Sequence, residues 1–254
     1  MNDLRELWDK APVTTLVAAV YVVLGLVTLT GDPMWGDFDR ILRLGACVPF
    51  LVVDGEPWRM LTAAFLHFGI LHLGLNLWAL IVLGPGLERH YGSLRFALLY
   101  LVGALGGNIA FQLWSLPLDV GAGGSGALFA MLGGALAYHV RAGRTSTAFL
   151  DNYGARQLLS VIGLNLALGL MIPQISNSAH LGGLVAGFVL GFCFLDRGRW
   201  RPDRTSRVIQ AGWILLFVML LLWCVFPVTR VDYQEWSRDP EQFRQLAARV
   251  LRDR

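Results

Sequence analysis

The chain has 254 residues, of which 55% are hydrophobic and only 15% charged. A soluble domain of this length carries about a quarter charged residues, so the composition argues against a soluble fold and for a membrane protein. The net charge of +3 is too slight to point to a nucleic-acid partner.

A membrane-crossing helix needs about 20 apolar residues. Segments near 13–30, 59–83, 94–114, 125–140, 156–172, 178–195 and 208–226 qualify. The expected fold class is therefore all-α, a polytopic membrane bundle of seven transmembrane helices over 13–226. A short N-terminal segment, 1–12, precedes it and a tail, 227–254, follows. The first apolar run reads as a retained helix. Its leader NDLRELWDK is mixed in charge, and no small-residue cleavage pattern follows. Cys47, Cys193 and Cys224 form no CxxC and no metal spacing.

Basic residues set the orientation. Arg5, Lys10, Arg89, Arg95, Arg141, Arg144, Arg156 and the cluster from Arg197 to Arg207 share one side, and Arg40, Arg43 and Arg59 lie on the other. The N-terminus is thus expected in the cytoplasm and the C-terminus outside. The first external loop, 31–58, is rich in Trp, Phe and Leu and is expected to lie partly in the outer leaflet. In the tail, Asp239 and Pro240 signal a helix start, and Phe243, Leu246, Ala247, Val250 and Leu251 repeat at helical spacing. An amphipathic helix is expected there, on the membrane surface or against the bundle.

The fourth span, GAGGSGALFAMLGGALAY, is short. From Ser125 to Tyr138 it rises only about 20 Å, against a hydrocarbon core of about 30 Å. With Arg141 and Arg144 at the cytoplasmic surface, Ser125 should start below the external one. Gly121 to Gly124 would then be irregular backbone at membrane depth, which is tolerated only inside protein or beside water. A hydrated pocket around Ser125 follows. The helix start also offers free N–H groups to a developing negative charge.

Three other groups reach that depth. His180 opens the sixth span, on the face that carries Gly183, Gly187 and Gly191. The fourth span has a matching stripe of Gly126, Ala130 and Gly134, and such stripes let two backbones approach closely. Packing one stripe on the other would bring Ser125 and His180 together. In the second span, His72 and Asn76 are four apart and share a helical face, below Trp58 and Arg59 at the external interface. His67 is about 140° round that helix from His72 and reads as a hydrogen-bonding partner of the adjacent loop. Any one of these alone would read as packing or interhelical glue. A nucleophile, a base and two donors near the external ends of three spans read as a functional site. No metal-ligand spacing surrounds His72 or His180, and no cofactor is expected.

The combination resembles the rhomboid family of intramembrane serine proteases. The matching pieces are Glu56-Pro57-Trp58-Arg59, His67-x4-His72-x3-Asn76, Gly123-Gly124-Ser125-Gly126 as GxSG, and Ala179-His180-x2-Gly183-x3-Gly187, with Glu88-Arg89 and Tyr91-Gly92-Ser93 after the second span. The resemblance covers about 55 to 195. It implies a dyad with Ser125 as nucleophile and His180 as general base, and an oxyanion hole from His72, Asn76 and the Ser125 backbone N–H. Gly123, Gly124, Gly126, Phe129, His67, Trp58, Arg59, Gly183 and Gly187 would support them. Where many members have a tyrosine four residues after the serine, this chain has Phe129.

The activity implied is hydrolysis of peptide bonds in or near transmembrane helices of protein substrates, within the lipid bilayer. A substrate helix would enter laterally near spans 2 and 5 and loop 171–178. The alternative is an inactive rhomboid-like protein that binds client helices. Lys10 is the only lysine, a usage that points to a GC-rich bacterium and hence to its inner membrane.

Overall fold

A computed structural model describes residues 10–30, 33–34, 36–141, 153–172 and 174–194, with positions 241, 245 and 249. The seventh expected span, nearly all of the tail and most of segment 1–12 lie outside the described residues. Within them the fold is all-helical, apart from an isolated antiparallel bridge between Cys47 and Gly121. The long helices are α1 (Pro12–Thr28), α5 (Gly69–Tyr91), α6 (Ser93–Trp114), α7 (Ser125–Arg141), α8 (Tyr153–Met171) and α9 (Asn177–Phe194). Five of them stand within a few residues of the expected spans, and α5 is shifted, starting ten residues after the expected second span starts and ending eight beyond its end. α5, α6 and α8 are long and apolar enough to cross a membrane, and α1, α7 and α9 are shorter apolar helices.

The first external loop is folded. It holds the short helices α2 (Phe38–Leu44), α3 (Pro49–Val53) and α4 (Arg59–Thr62), the last leading into a 3-10 turn, Ala63–Phe65. Asp37 caps α2 by accepting from the Arg40 N–H at 3.0 Å. Ile41, Cys47, Val48, Phe50 and Val52 are buried, so the apolar bulk of this loop packs against protein.

The second expected span is not one helix. α4 and the 3-10 turn end at Leu66 in extended backbone, and α5 begins only at Gly69. Gly69 has φ of +75°, a left-handed conformation that glycine adopts without a Cβ penalty. Only His67 interrupts the apolar run across this joint, and single polar residues recur within α5 as well, so hydropathy could not reveal the break.

Two features lock the bundle. At one end, the Glu88 carboxylate accepts from the backbone N–H groups of Val13 and Thr14, at 2.9 and 2.8 Å, and from the Thr14 hydroxyl at 2.8 Å. Glu88 is 1% exposed, and it serves orphan donors at the start of α1 from the end of α5. In the middle, Tyr21 of α1 and Tyr100 of α6 share a hydrogen bond of 2.7 Å. They belong to a core that also contains Leu73, Leu80, Phe96, Ala127, Leu128 and Met131. α6 is the central helix, with 61% of its apolar window buried, against 22% for α5 and 11% for α8.

Replacing Glu88 with alanine strands three buried donors at once. Thermal unfolding in detergent should show a loss of about 3 kcal/mol, with Glu88→Gln, which keeps one acceptor oxygen, losing less.

Candidate active site

The site is built on the contact between α7 and α9, the most extensively packed pair of helices. A side chain at Gly183 would collide with the carbonyl of Gly126, one at Gly187 with the backbone of Ala130, and one at Gly191 with Gly134. The two stripes expected from sequence are therefore the rungs of this interface. α6 closes the third side, with Gly107 against Gly126 and Ala179, and Gly103 against Ala130. Backbones this close leave no freedom to slide one helix along the other.

His180 lies in the first turn of α9, where the Ser176 hydroxyl caps the helix by accepting from the Ala179 N–H at 3.2 Å. Its ring stacks on Phe129, with centroids 4.1 Å apart and planes 9° from parallel. Phe129 is one turn beyond Ser125 in α7, so the stack holds the imidazole beside the start of that helix. His180 is 6% exposed, and its Nδ1 has no hydrogen-bond partner. Ser125 is the first residue of α7 and is half-buried, between buried Gly124 and buried Gly126.

The backbone before Ser125 is irregular, as expected, and protein serves its polar groups. Gly121 and Cys47 exchange two hydrogen bonds of 2.8 Å, and the Gly123 N–H donates to the Ala63 carbonyl at 2.9 Å. Gly123 has φ of +134°, so a side chain there would be strained. A side chain at Gly124 would run into the Tyr21 hydroxyl. The glycines thus bend the chain and let other groups come close.

One of those groups is His72. Its Nε2 would lie 2.8 Å from a Cβ at Gly123. The Phe68 N–H points at its Nδ1 at 3.4 Å, which makes Nδ1 the acceptor and leaves the ring proton on Nε2, facing the glycine segment. Asn76, 4% exposed, donates from Nδ2 to the His72 carbonyl at 2.9 Å, and its Oδ1 is buried without a partner.

His67 and Arg59 differ from expectation. His67 precedes α5, so the helical angle assigned to it does not apply. The extended backbone turns its ring inward, edge-on to Tyr21 at 4.5 Å and to His72 at 5.2 Å. It is 1% exposed, buried inside the protein rather than at the interface. Arg59 is buried, not an interface marker. It donates to Glu56 at 2.5 Å and to the carbonyls of Leu42 and Ala46 at 2.6 and 3.0 Å. Those carbonyls flank the C-terminus of α2, so Arg59 anchors the first loop. Trp58 stays 47% exposed, with the guanidinium over its ring at 4.9 Å.

Sequence reasoning missed the second anchor of that loop. Asn108 donates to the Met60 carbonyl at 2.6 Å and Gln112 to the Pro49 carbonyl at 3.1 Å, both from α6. Two amides four apart in an otherwise apolar span were the available signal.

A family model described as the Rhomboid domain matches residues 54–197. The chain belongs to the rhomboid family. Among its relatives, RHOMBOID-like protein 2 of Arabidopsis thaliana is 36% identical over 79% of this chain and 65% of its own length. RHOMBOID-like protein 6, mitochondrial, of the same plant is 38% identical over 70% of this chain and 58% of its own. Rhomboid protease GluP of Bacillus subtilis is 41% identical over 59% of this chain and 28% of its own. The chain thus spans less than two thirds of the length of each. With its apolar helices, this rhomboid is an integral membrane protein.

Adding a methyl group at Gly183 should force α7 and α9 apart, because the obstacle is backbone. Gly183→Ala is expected to cost about 1–3 kcal/mol in thermal unfolding. Gly163→Ala, with nothing within 4 Å of the added carbon, should be neutral or slightly stabilising.

Proposed function

We propose that this rhomboid is an intramembrane serine endopeptidase with Ser125 as nucleophile and His180 as general base. The observation that carries the reading is the His180–Phe129 stack. It seats an imidazole against α7 one turn beyond half-buried Ser125, at a helix start with His72 turned toward the same glycines. A serine hydroxyl is a weak nucleophile until a neighbouring base takes its proton.

In this reading Ser125 Oγ attacks the scissile carbonyl carbon and its proton passes to His180 Nε2. The carbonyl oxygen becomes an oxyanion, held by the Ser125 N–H, His72 Nε2–H and Asn76 Nδ2. The imidazolium then protonates the leaving amine as the C–N bond breaks, leaving an acyl ester on Ser125. Water attacks that ester, gives its proton to His180, and the collapse of the second oxyanion frees the acid and returns a proton to Oγ. With no acid beside His180 among the described residues, stacking orients the ring in this reading, and a phenylalanine can stack as a tyrosine does.

The substrate class follows from access. α8 covers the site from the lipid side, with Leu158, Ile162 and Leu166 against Phe129 and Leu132, and Leu83 of α5 beside them. α8 is also the least buried of the three long described spans. A transmembrane segment entering between α5 and α8 would meet the dyad after partly unwinding, since a helical carbonyl is shielded from attack. The asymmetry of basic residues supports a cytoplasmic N-terminus and a site open to the external side, and the arginine usage supports a bacterial inner membrane.

Ser125→Ala and His180→Ala should each abolish cleavage of a model transmembrane substrate in purified, folded protein. Ser125→Ala should also abolish labelling by a fluorophosphonate. Cleavage by Ser125→Ala at the wild-type rate refutes the reading. Client binding indifferent to both changes, with no labelling of the wild type, would instead identify an inactive binder. His72→Ala should lower kcat about 100- to 1000-fold, and Phe129→Ala about tenfold through loss of the stack.

A further inference from the structure

Among the described residues, the apolar surface of α8 is sparsely buried. Leu164, Leu168, Leu170 and Met171 face outward. Lipid tails are as apolar as leucine, so no hydrophobic force presses such a helix onto its neighbours. What fixes its position must be close packing and directional bonds.

One such device joins its outer half to α9. Asn177, in the first turn of α9 and three residues before His180, donates from Nδ2 to the Leu166 carbonyl at 3.1 Å. Gly169 lies directly beneath the amide, where any side chain would strike Asn177. The Oδ1 of Asn177 is buried with no partner, so the amide is seated there at the cost of an unserved acceptor. Leu166, whose carbonyl is held, also packs against the cluster of Phe129, Leu132 and Ile162. The bond therefore acts on the part of α8 that covers the partner of His180.

We propose that Asn177 clasps the outer half of α8 over the dyad, with Gly169 as its seat, and so sets how readily a transmembrane segment reaches Ser125. A small reagent arriving from water does not need α8 to move. The clasp thus discriminates by size between substrates and small acylating agents. The kinetic part rests on the protease reading; the positional part does not.

The test pairs two variants with two readouts, in full-length protein in lipid nanodiscs. Asn177→Ala removes the bond, and Gly169→Ala wedges it apart from the other side. Each should raise kcat/KM for a model transmembrane substrate about fivefold, with fluorophosphonate labelling of Ser125 within twofold of wild type. In the double variant, Gly169→Ala should add little, because the group it strikes is gone. Spin labels at Leu168→Cys on α8 and Leu101→Cys on α6, with Cys47, Cys193 and Cys224 replaced by alanine, report the position of α8 directly. Both variants should broaden and lengthen that distance distribution. An unchanged distribution overturns the proposal, and so does a parallel fall in cleavage and labelling, which would show that Asn177 merely shapes the dyad. If wild-type protein neither cleaves nor labels, the protease reading fails while the spin-label distances still decide the clasp.

Discussion

The constraint on which the rest depends is the direct contact of two helix backbones, α7 on α9, at Gly126 and Gly183. Bilayers offer no hydrophobic drive to bring helices together, so association relies on close packing and hydrogen bonds. Three successive rungs of small residues meet that requirement and fix register as well as distance. Because Ser125 precedes one rung and His180 precedes its partner, the same packing that holds the bundle also decides where the hydroxyl and the imidazole lie. Site and scaffold are one interface.

A second layer of order surrounds that interface. The glycine segment before Ser125 would be intolerable in lipid, yet its polar groups are met by Cys47 and Ala63. Those residues belong to the first loop and the 3-10 turn, which Arg59, Asn108 and Gln112 in turn fasten. The first loop is therefore part of the support for the serine, though it is remote in sequence. His72 is set by the start of α5, where the Phe68 N–H meets its Nδ1.

Much of this was legible in the sequence, for physical reasons. Small residues at every fourth position on two spans admit one close packing, and the structure has it. The shortness of the fourth span announced irregular backbone before Ser125. What was hidden depended on local backbone turns that composition does not mark. Leu66 and Phe68 flank His67 at the break and no proline marks it, so His67 was placed on a helix it does not join. Arg59 was taken for an interface residue because its sequence neighbours do not include the Leu42 and Ala46 carbonyls that it serves. Glu88 stood out only as part of a motif, and its hold on α1 was not visible, since backbone N–H groups carry no sequence signature. The seventh span and the C-terminal helix lie outside the described residues.

The hold of Glu88 on Val13 and Thr14 has a bearing on biogenesis. Helix α1 has its leading amides satisfied by a carboxylate made more than seventy residues later. Until α5 has been threaded and its far end completed, the start of α1 must remain hydrated at the membrane surface. Docking of the earlier segment is thereby timed by synthesis of a later one, and assembly of the bundle awaits the chain's return to the level at which α1 began.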